Sequence, residues 1–296
     1  MPPLEFARHL SDQKGIGTNR QLLREDDKPL DDESRMITAG TAVRRLHLLW
    51  DELADFSAQA TDDALGHALR VLSELVGAQN AFWLGAVRLG GVVDPLAGWR
   101  IRGMRRMVES AKDERVYKLS RQRLDRGTPD EVTRAQVREA GSFRARLLRE
   151  LASPTFFATP DYDTLYRARS IHDAIFVVCP LNEDAESYYG WYRIGDERGT
   201  FSPADRDLLA YALRALKWFH RRVMLHHGLL IANAPLTPME RRIVSLLLTE
   251  RLEKEIAGDL DLTLATTHTY ITALFRKFGV SGRAGLTALW LGNSPS

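Results

Sequence analysis

The tightest constraint on this chain lies near its C-terminal end, from Leu236 to Leu291, where helix starts and stops are written residue by residue. Thr237 can cap a helix, Pro238 suits the first helical position, and Glu240 can reach back to complete a capping box. Ile243, Val244, Leu246, Leu247 and Leu248 give that helix one broad apolar face. A short second helix, about Glu253 to Asp259, turns Ile256 and Ala257 inward, with Leu260 just beyond it. Asp261 then tolerates the left-handed backbone of a tight turn. Thr263 caps a third helix to about Phe278, and Gly279 ends it. A last helix, Arg283 to Leu291, returns Leu286, Leu289 and Trp290 to the same small core. Two helices joined by so short a turn predict a helix-turn-helix within an all-α, four-helix unit.

The third helix has two faces. Thr267, Ile271, Leu274 and Phe278 recur at helical spacing and predict a buried stripe. His268, Thr269, Thr272 and Arg276 lie opposite, with no large apolar side chain among them. Such a face can enter a DNA major groove, and it can equally be the solvated side of a helical bundle. The pattern alone leaves both open.

The stretch resembles the LuxR-type DNA-binding domain of bacterial transcription regulators. That family opens Leu-Thr-x-x-Glu, matched by Leu236, Thr237 and Glu240, and continues Lys-Glu-Ile-Ala, matched by Lys254 to Ala257. Its third helix is entered by Leu-x-Leu/Ile-Ser/Thr-x-x-Thr, matched at Leu260, Leu262, Thr263 and Thr266. It closes Lys-Leu/Phe-Gly-Val-Ser-x-Arg, matched from Lys277 to Ser281 and at Arg283. The run is collinear and needs no gap. By this resemblance His268, Thr269 and Thr272 are expected to read bases. Lys254, Thr263, Thr266, Arg276 and Lys277 are expected to position the domain or contact phosphate. The chain departs from the family at Glu250 (usually Gly), Thr267 (usually Val) and His268 (usually Lys). The Thr267 hydroxyl, inside the apolar stripe, needs a partner such as the carbonyl four residues back. His268 replaces a fixed positive charge by a mostly neutral ring.

Charge limits how such a domain can bind. The chain has 296 residues, 41 Lys and Arg against 39 Asp and Glu, and a formal charge of +2. From Leu236 onward the cations are Arg241, Arg242, Arg251, Lys254, Arg276, Lys277 and Arg283; the acids are Glu240, Glu250, Glu253, Glu255, Asp259 and Asp261. One excess positive charge predicts weak binding of duplex DNA by a single copy. A homodimer is expected to supply the second half-site. Its candidate seam is a 4-3-4-3-4 stripe through Ala212, Leu216, Phe219, Val223, His226 and Leu230, on a long helix from Pro203 to about Leu229. Covering a sheet would require the same stripe.

Ahead of this unit the chain predicts an α+β domain. Residues 1–36 are polar, with Glu25-Asp26-Asp27 and Asp31-Asp32-Glu33, and read as a solvated leader. Helices follow from Ile37 and after Thr61, then a strand from Asn80 to Val87 and turn signals at Gly90-Gly91 and Asp94-Pro95. Gly98 to Arg102 is a candidate second strand. Arg100 to Glu150, with fifteen Lys and Arg against eight acids, reads as two or three solvated helices broken at Gly127-Thr128-Pro129. Ala174 to Val178 and Ser187 to Arg193 predict an antiparallel pair turning at Asn182 to Ala185. This order resembles a GAF or PAS-like α/β sandwich sensor, carried by Tyr188-Tyr189-Gly190-Trp191 and the helix entry after Phe201-Ser202-Pro203. The resemblance implies a sensor and dimerisation domain over residues 37–230, followed by the DNA-binding domain over 231–296. It implies a small-molecule effector too, with Trp83, Tyr162, Tyr166, Phe176, Tyr189 and Trp191 as candidate pocket residues.

Other functions leave no mark. There is no phosphate loop, no Gly-x-Ser-x-Gly and no His-Glu-x-x-His, so no enzyme is expected. Cys179 is the single cysteine, in an apolar run, which excludes an internal disulfide and a cysteine-rich zinc site. His220, His226 and His227 share one helix with Arg221 and Arg222, and neither a metal nor a cofactor is expected there. No run is long and apolar enough to span a membrane, and no secretion signal opens the chain, so a cytoplasmic protein is expected. Two alternatives remain. An acyl-homoserine-lactone receptor needs closely spaced Trp, Tyr and Asp after the first strand, whereas Trp83 and Asp161-Tyr162 are far apart. A helix-turn-helix repurposed to bind protein fits Glu250 and His268.

Overall fold

The structure, a computed structural model, describes residues 32–89, 98–195, 199–230 and 236–291, with side chains from residue 40 onward. By internal contacts it separates into residues 1–52 and residues 53–296. Most of the leader, the turn at Gly90-Gly91 and Asp94-Pro95, and residues 231–235 lie outside the described residues. The first unit's described part is helix α1 (Asp32–Asp55, whose last residues belong to the second unit), where Arg45 pairs with Glu52 at 3.0 Å. Residues 32–36, expected in the polar leader, are therefore helical.

The second unit is built on a five-stranded antiparallel sheet in the order β2-β1-β5-β4-β3. Its strands are β1 (Asn80–Arg88), β2 (Trp99–Arg106), β3 (Arg144–Leu147), β4 (Ile171–Asn182) and β5 (Ala185–Ile194). Strands β4 and β5 run longer than their apolar runs suggest, because they form a hairpin that pairs nearly to its turn. The basic segment gives α3 (Ala111–Asp125) and α4 (Glu131–Arg138), broken around Gly127 at φ 72°. It also supplies strands at both sheet edges: β2 runs to Arg106, and β3 was expected as helix. Arg144-Ala145-Arg146-Leu147 alternates polar and apolar over only four residues, too few to outweigh the helical run around it; pairing with β4 makes them a strand.

Each face of the sheet has its own cover. Helix α2 (Thr61–Val76) packs on one face with α7 (Pro203–Arg214) and α8 (Lys217–His226). This face buries Trp83, Tyr189 and Trp191 completely. The other face carries Phe82, Phe176, Tyr188 and Tyr192 beneath α3, α4 and the short helices α5 (Leu148–Leu151) and α6 (Pro160–Leu165). Strand alternation assigns these sets to opposite sides. Gly190 leaves room for the Phe82 ring, which a Cβ there would overlap. Gly190→Ala should therefore cost about 1–3 kcal/mol by overpacking. Thermal unfolding will show it, and an unchanged midpoint would mean that Phe82 is free to move.

The expected long helix from Pro203 to Leu229 is two helices. Leu216 leaves helical geometry between α7 and α8 (φ −98°, ψ 34°), and the His220 ring reaches back to bond the Leu213 carbonyl at 2.9 Å. That carbonyl, at the end of α7, also accepts from the Leu216 amide at 3.0 Å, so the imidazole is its second partner.

Candidate nucleic-acid interface and cavity

The terminal unit is assembled by its caps. In α9 (Pro238–Leu247), Thr237 Oγ1 accepts from the Glu240 amide at 3.2 Å, and Glu240 Oε2 accepts from the Thr237 amide at 2.7 Å. Helix α10 (Glu253–Asp259) ends in a turn where Asp261 takes φ 53°. Helix α11 (Leu264–Phe278) is capped by Thr263, whose Oγ1 accepts from the Thr266 amide at 3.1 Å. Thr267, Ile271, Leu274 and Phe278 are buried, and Thr267 donates to the Thr263 carbonyl at 3.1 Å, which satisfies its hydroxyl. Gly279 closes α11 at φ 65°. Helix α12 (Arg283–Trp290) brings Leu286 and Leu289 into the core and Trp290 edge-on to Phe278. Two helices meeting at this turn, the second capped and polar on its outer side, make a helix-turn-helix.

His268, Thr269, Thr272 and Arg276 lie exposed on that outer side of α11. Arg276 and, on α10, Lys254 carry charges with no hydrogen bond or ion pair among the described residues. His268 is tied to α10 through Nδ1, 3.1 Å from Glu253 Oε2. Thr269 donates to the Ala265 carbonyl at 2.9 Å, while the Thr263 and Thr266 hydroxyls bond each other at 2.8 Å. Those two threonines thus order the helix start. The Lys277 ammonium lies 2.7 Å from Glu240 Oε1, which is largely buried, so it ties the end of α11 to the start of α9. Burial pushes the Glu240 carboxyl up, but hydrogen bonds from Lys277 and the Thr237 amide outweigh it and hold the group below its ordinary value.

The expected dimer seam is occupied within the chain. Leu216, Phe219 and Val223 are buried against the five-stranded sheet and its covering helices, as are Ala212 and His226. An apolar stripe on a helix over a sheet has the spacing of a coiled-coil seam, and here the sheet takes it.

The cavity lies on the opposite face of the sheet, with a volume of about 150 Å³, under α3 and α4. Tyr166 and Phe176 line it; Trp83, Tyr189 and Trp191 do not, because they point to the other face. There Trp83 donates to Ser187 Oγ at 2.8 Å and lies against His227, the two rings tilted by 41°. Tyr162 stacks on Tyr166 at 5.5 Å without lining the cavity. The residues missed from sequence are Phe82, Tyr188 and Tyr192, together with Trp99 and Gln136. Tyr188 and Tyr192 were findable as a pair, since they are four apart on one strand and share a face. Burial, above all other influences, raises the Tyr166, Tyr188 and Tyr192 hydroxyls, so all three are neutral.

The cavity's charges are matched. Arg144 makes a two-pronged pair with Glu186 (2.8 Å to each oxygen), and Arg169 meets Asp113 at 2.8 Å. Arg106 is held by Glu109 and Glu114, and Asp130 caps α4. Among the described residues no group of three His, Cys, Asp or Glu is arranged to hold a metal ion. Nor is any described helix long and apolar enough to cross a membrane.

Comparison with known proteins singles out the terminal unit. Residues 234–290 match the luxR family of bacterial regulatory proteins (GerE). The transcriptional regulatory protein MctR of Rhizobium johnstonii is 46% identical over 52 residues, which are 18% of this chain. The chain spans 24% of that relative's length. Among solved structures, SdiA in complex with octanoyl-rac-glycerol aligns at a TM-score of 0.45 and 11% identity, over 83% of this chain and 92% of that one. Escherichia coli SdiA gives 0.45 and 12%, over 85% and 98%. The VqsR LBD domain from Pseudomonas aeruginosa gives 0.40 and 13%, over 63% and 98%. The capped helices, the left-handed Asp261 turn and the family match agree on one conclusion: the terminal helix-turn-helix is the domain matched at residues 234–290 by the luxR family of bacterial regulatory proteins.

Proposed function

We propose that this chain is a cytoplasmic transcription regulator, in which the helix-turn-helix reads operator DNA and the α+β domain over residues 37–230 senses a small molecule in a GAF-like manner. The single observation that carries the DNA reading is the outer side of α11, which presents Thr272 and an uncommitted Arg276, with a second uncommitted cation, Lys254, on α10. In the major groove His268, Thr269 and Thr272 face base edges, and Lys254 and Arg276 face phosphates. The charge balance of the terminal unit supports binding as a pair of copies. The pairing surface then lies elsewhere than Leu216, Phe219 and Val223.

Two substitutions separate base reading from phosphate contact. Thr272→Ala should cost about 1–3 kcal/mol of discrimination at one base position. Arg276→Ala should weaken all sequences alike and lower the salt slope by roughly one unit. Titration of specific and scrambled duplexes at several salt concentrations measures both. Equal loss of specificity in the two variants would remove the assignment.

A second reading has its own observation. Leu252, just before α10, and Leu264, at the start of α11, are 67% and 53% exposed, which suits a protein partner. Recovery of bound DNA across the genome decides between them: enriched sites support the regulator, and none would favour the protein-binding alternative.

A further inference from the structure

The cavity chemistry narrows the class of molecule that the proposed sensor takes; the inference rests on the sensing reading. Three side-chain nitrogens of cavity-lining residues are buried without a partner: Gln136 Nε2, Trp99 Nε1 and Arg106 Nε. All three are N–H donors, and no cavity-lining side-chain oxygen is orphaned in this way. The Gln136 amide is oriented without ambiguity. Arg144 Nε, which can only donate, bonds its oxygen at 3.0 Å, so the NH2 group is the end left over. Trp99 belongs to the same end, in a cluster with Ile101 and Leu124 against which Val137, the next residue on α4, packs.

Acceptors within the protein are already used. Glu186 accepts at both oxygens from Arg144 and also from the Gly141 amide, and Asp130 accepts at both from Thr133. The lining holds three arginines and three carboxylates, so a charged guest would enter without a counter-charge. The remaining wall is aromatic and aliphatic, and a space of this size elsewhere holds about six to ten heavy atoms, as in an engineered 150 Å³ cavity that binds benzene.

We propose that the cavity binds a small neutral molecule whose polar groups are hydrogen-bond acceptors only, such as a ketone or ester, and that the Gln136 amide and the Trp99 indole orient it. A carbonyl oxygen carries two lone pairs and can accept from both donors. Amines and carboxylates are excluded by charge, and plain hydrocarbons leave the donors unpaired.

The test uses the full chain and three probes of similar size: methyl pentyl ketone, octane and heptylamine. The ketone should raise the melting temperature and bind by calorimetry, with octane weaker and heptylamine without effect. Trp99→Phe keeps the ring and removes the N–H; Gln136→Glu keeps the acceptor toward Arg144 and removes the NH2. Each should weaken ketone binding by about tenfold, the worth of one good hydrogen bond. Should Gln136→Glu fail to fold, Trp99→Phe carries the comparison. Octane equal to the ketone, preference for the amine, or ketone binding unchanged in the variants would overturn the acceptor assignment and leave the cavity as a small-molecule site. No shift with any probe would overturn both the assignment and the sensing reading, without touching DNA binding.

Discussion

Arg144→Met should cost about 3–5 kcal/mol of folding stability, a large part of what an ordinary domain has. The guanidinium and the Glu186 carboxylate are both almost wholly buried, at 3% and 4% side-chain exposure, and they join edge strand β3 to β5 across β4. Removing the arginine leaves a carboxylate in an apolar setting with one remaining donor, the Gly141 amide at 2.8 Å. It also frees the Gln136 oxygen and the Ser142 carbonyl, each of which now accepts from Arg144. The double replacement Arg144→Met with Glu186→Leu removes both charges and should recover part of the loss, because the penalty of the single change is mostly the stranded charge. Urea unfolding at pH 7 measures both, with an unchanged slope as the sign that only stability moved. A single variant within about 1 kcal/mol of the wild type would mean that water reaches Glu186.

That ion pair also marks where the sequence stops being readable. Caps and helical stripes are local, so Thr237 with Glu240, Thr263, Asp261 and Gly279 announced the terminal unit, and the structure has each of them in its expected place. Strand β3 was unreadable because the partner that makes Arg144 a buried residue is Glu186, 42 positions away. The cavity was half readable. The aromatic strands were evident, but an isolated strand does not say which of its two faces will be packed shut. Tyr189 and Trp191 were shut in by α2, α7 and α8, and the open side went to Tyr188 and Tyr192. The stripe through Leu216, Phe219 and Val223 failed for a related reason, since a sheet and a second helix select the same spacing. The break between α7 and α8 depends on a side chain reaching a carbonyl seven residues back, and no propensity at Ala215 or Leu216 foretells it.

The residue that makes that break gives the second large effect, in pH. His220 is 2% exposed and bonded at both ring nitrogens: Nε2 to the Leu213 carbonyl and Nδ1 to the Tyr189 hydroxyl, each at 2.9 Å. A carbonyl only accepts, so Nε2 carries the proton and Nδ1 accepts from Tyr189, whose own ionisation burial pushes well above its ordinary range. A second proton on the ring would end the bond that Tyr189 donates and force its O–H to turn away. Burial lowers the His220 pKa from 6.5 to about 4, against a smaller upward pull from the Leu213 carbonyl. The unfolded chain therefore takes up this proton first as pH falls. Stability from His220 is complete above pH 6.5 and declines until about pH 4, by about 3 kcal/mol in all. His227, buried and lowered chiefly by desolvation, adds in the same direction. Asp62, facing His226 and His227, is held below its ordinary value by their hydrogen bonds, which outweigh its burial, and it stays ionised throughout this window. His220→Gln keeps an N–H for Leu213 and cannot titrate. Between pH 6.5 and about pH 5 most carboxylates are still ionised, and there the wild type should lose about 2 kcal/mol more than this variant. Parallel pH profiles for the two proteins would show that His220 gains its proton without unfolding the α7–α8 junction, and would take the neutral ring out of the account of that break.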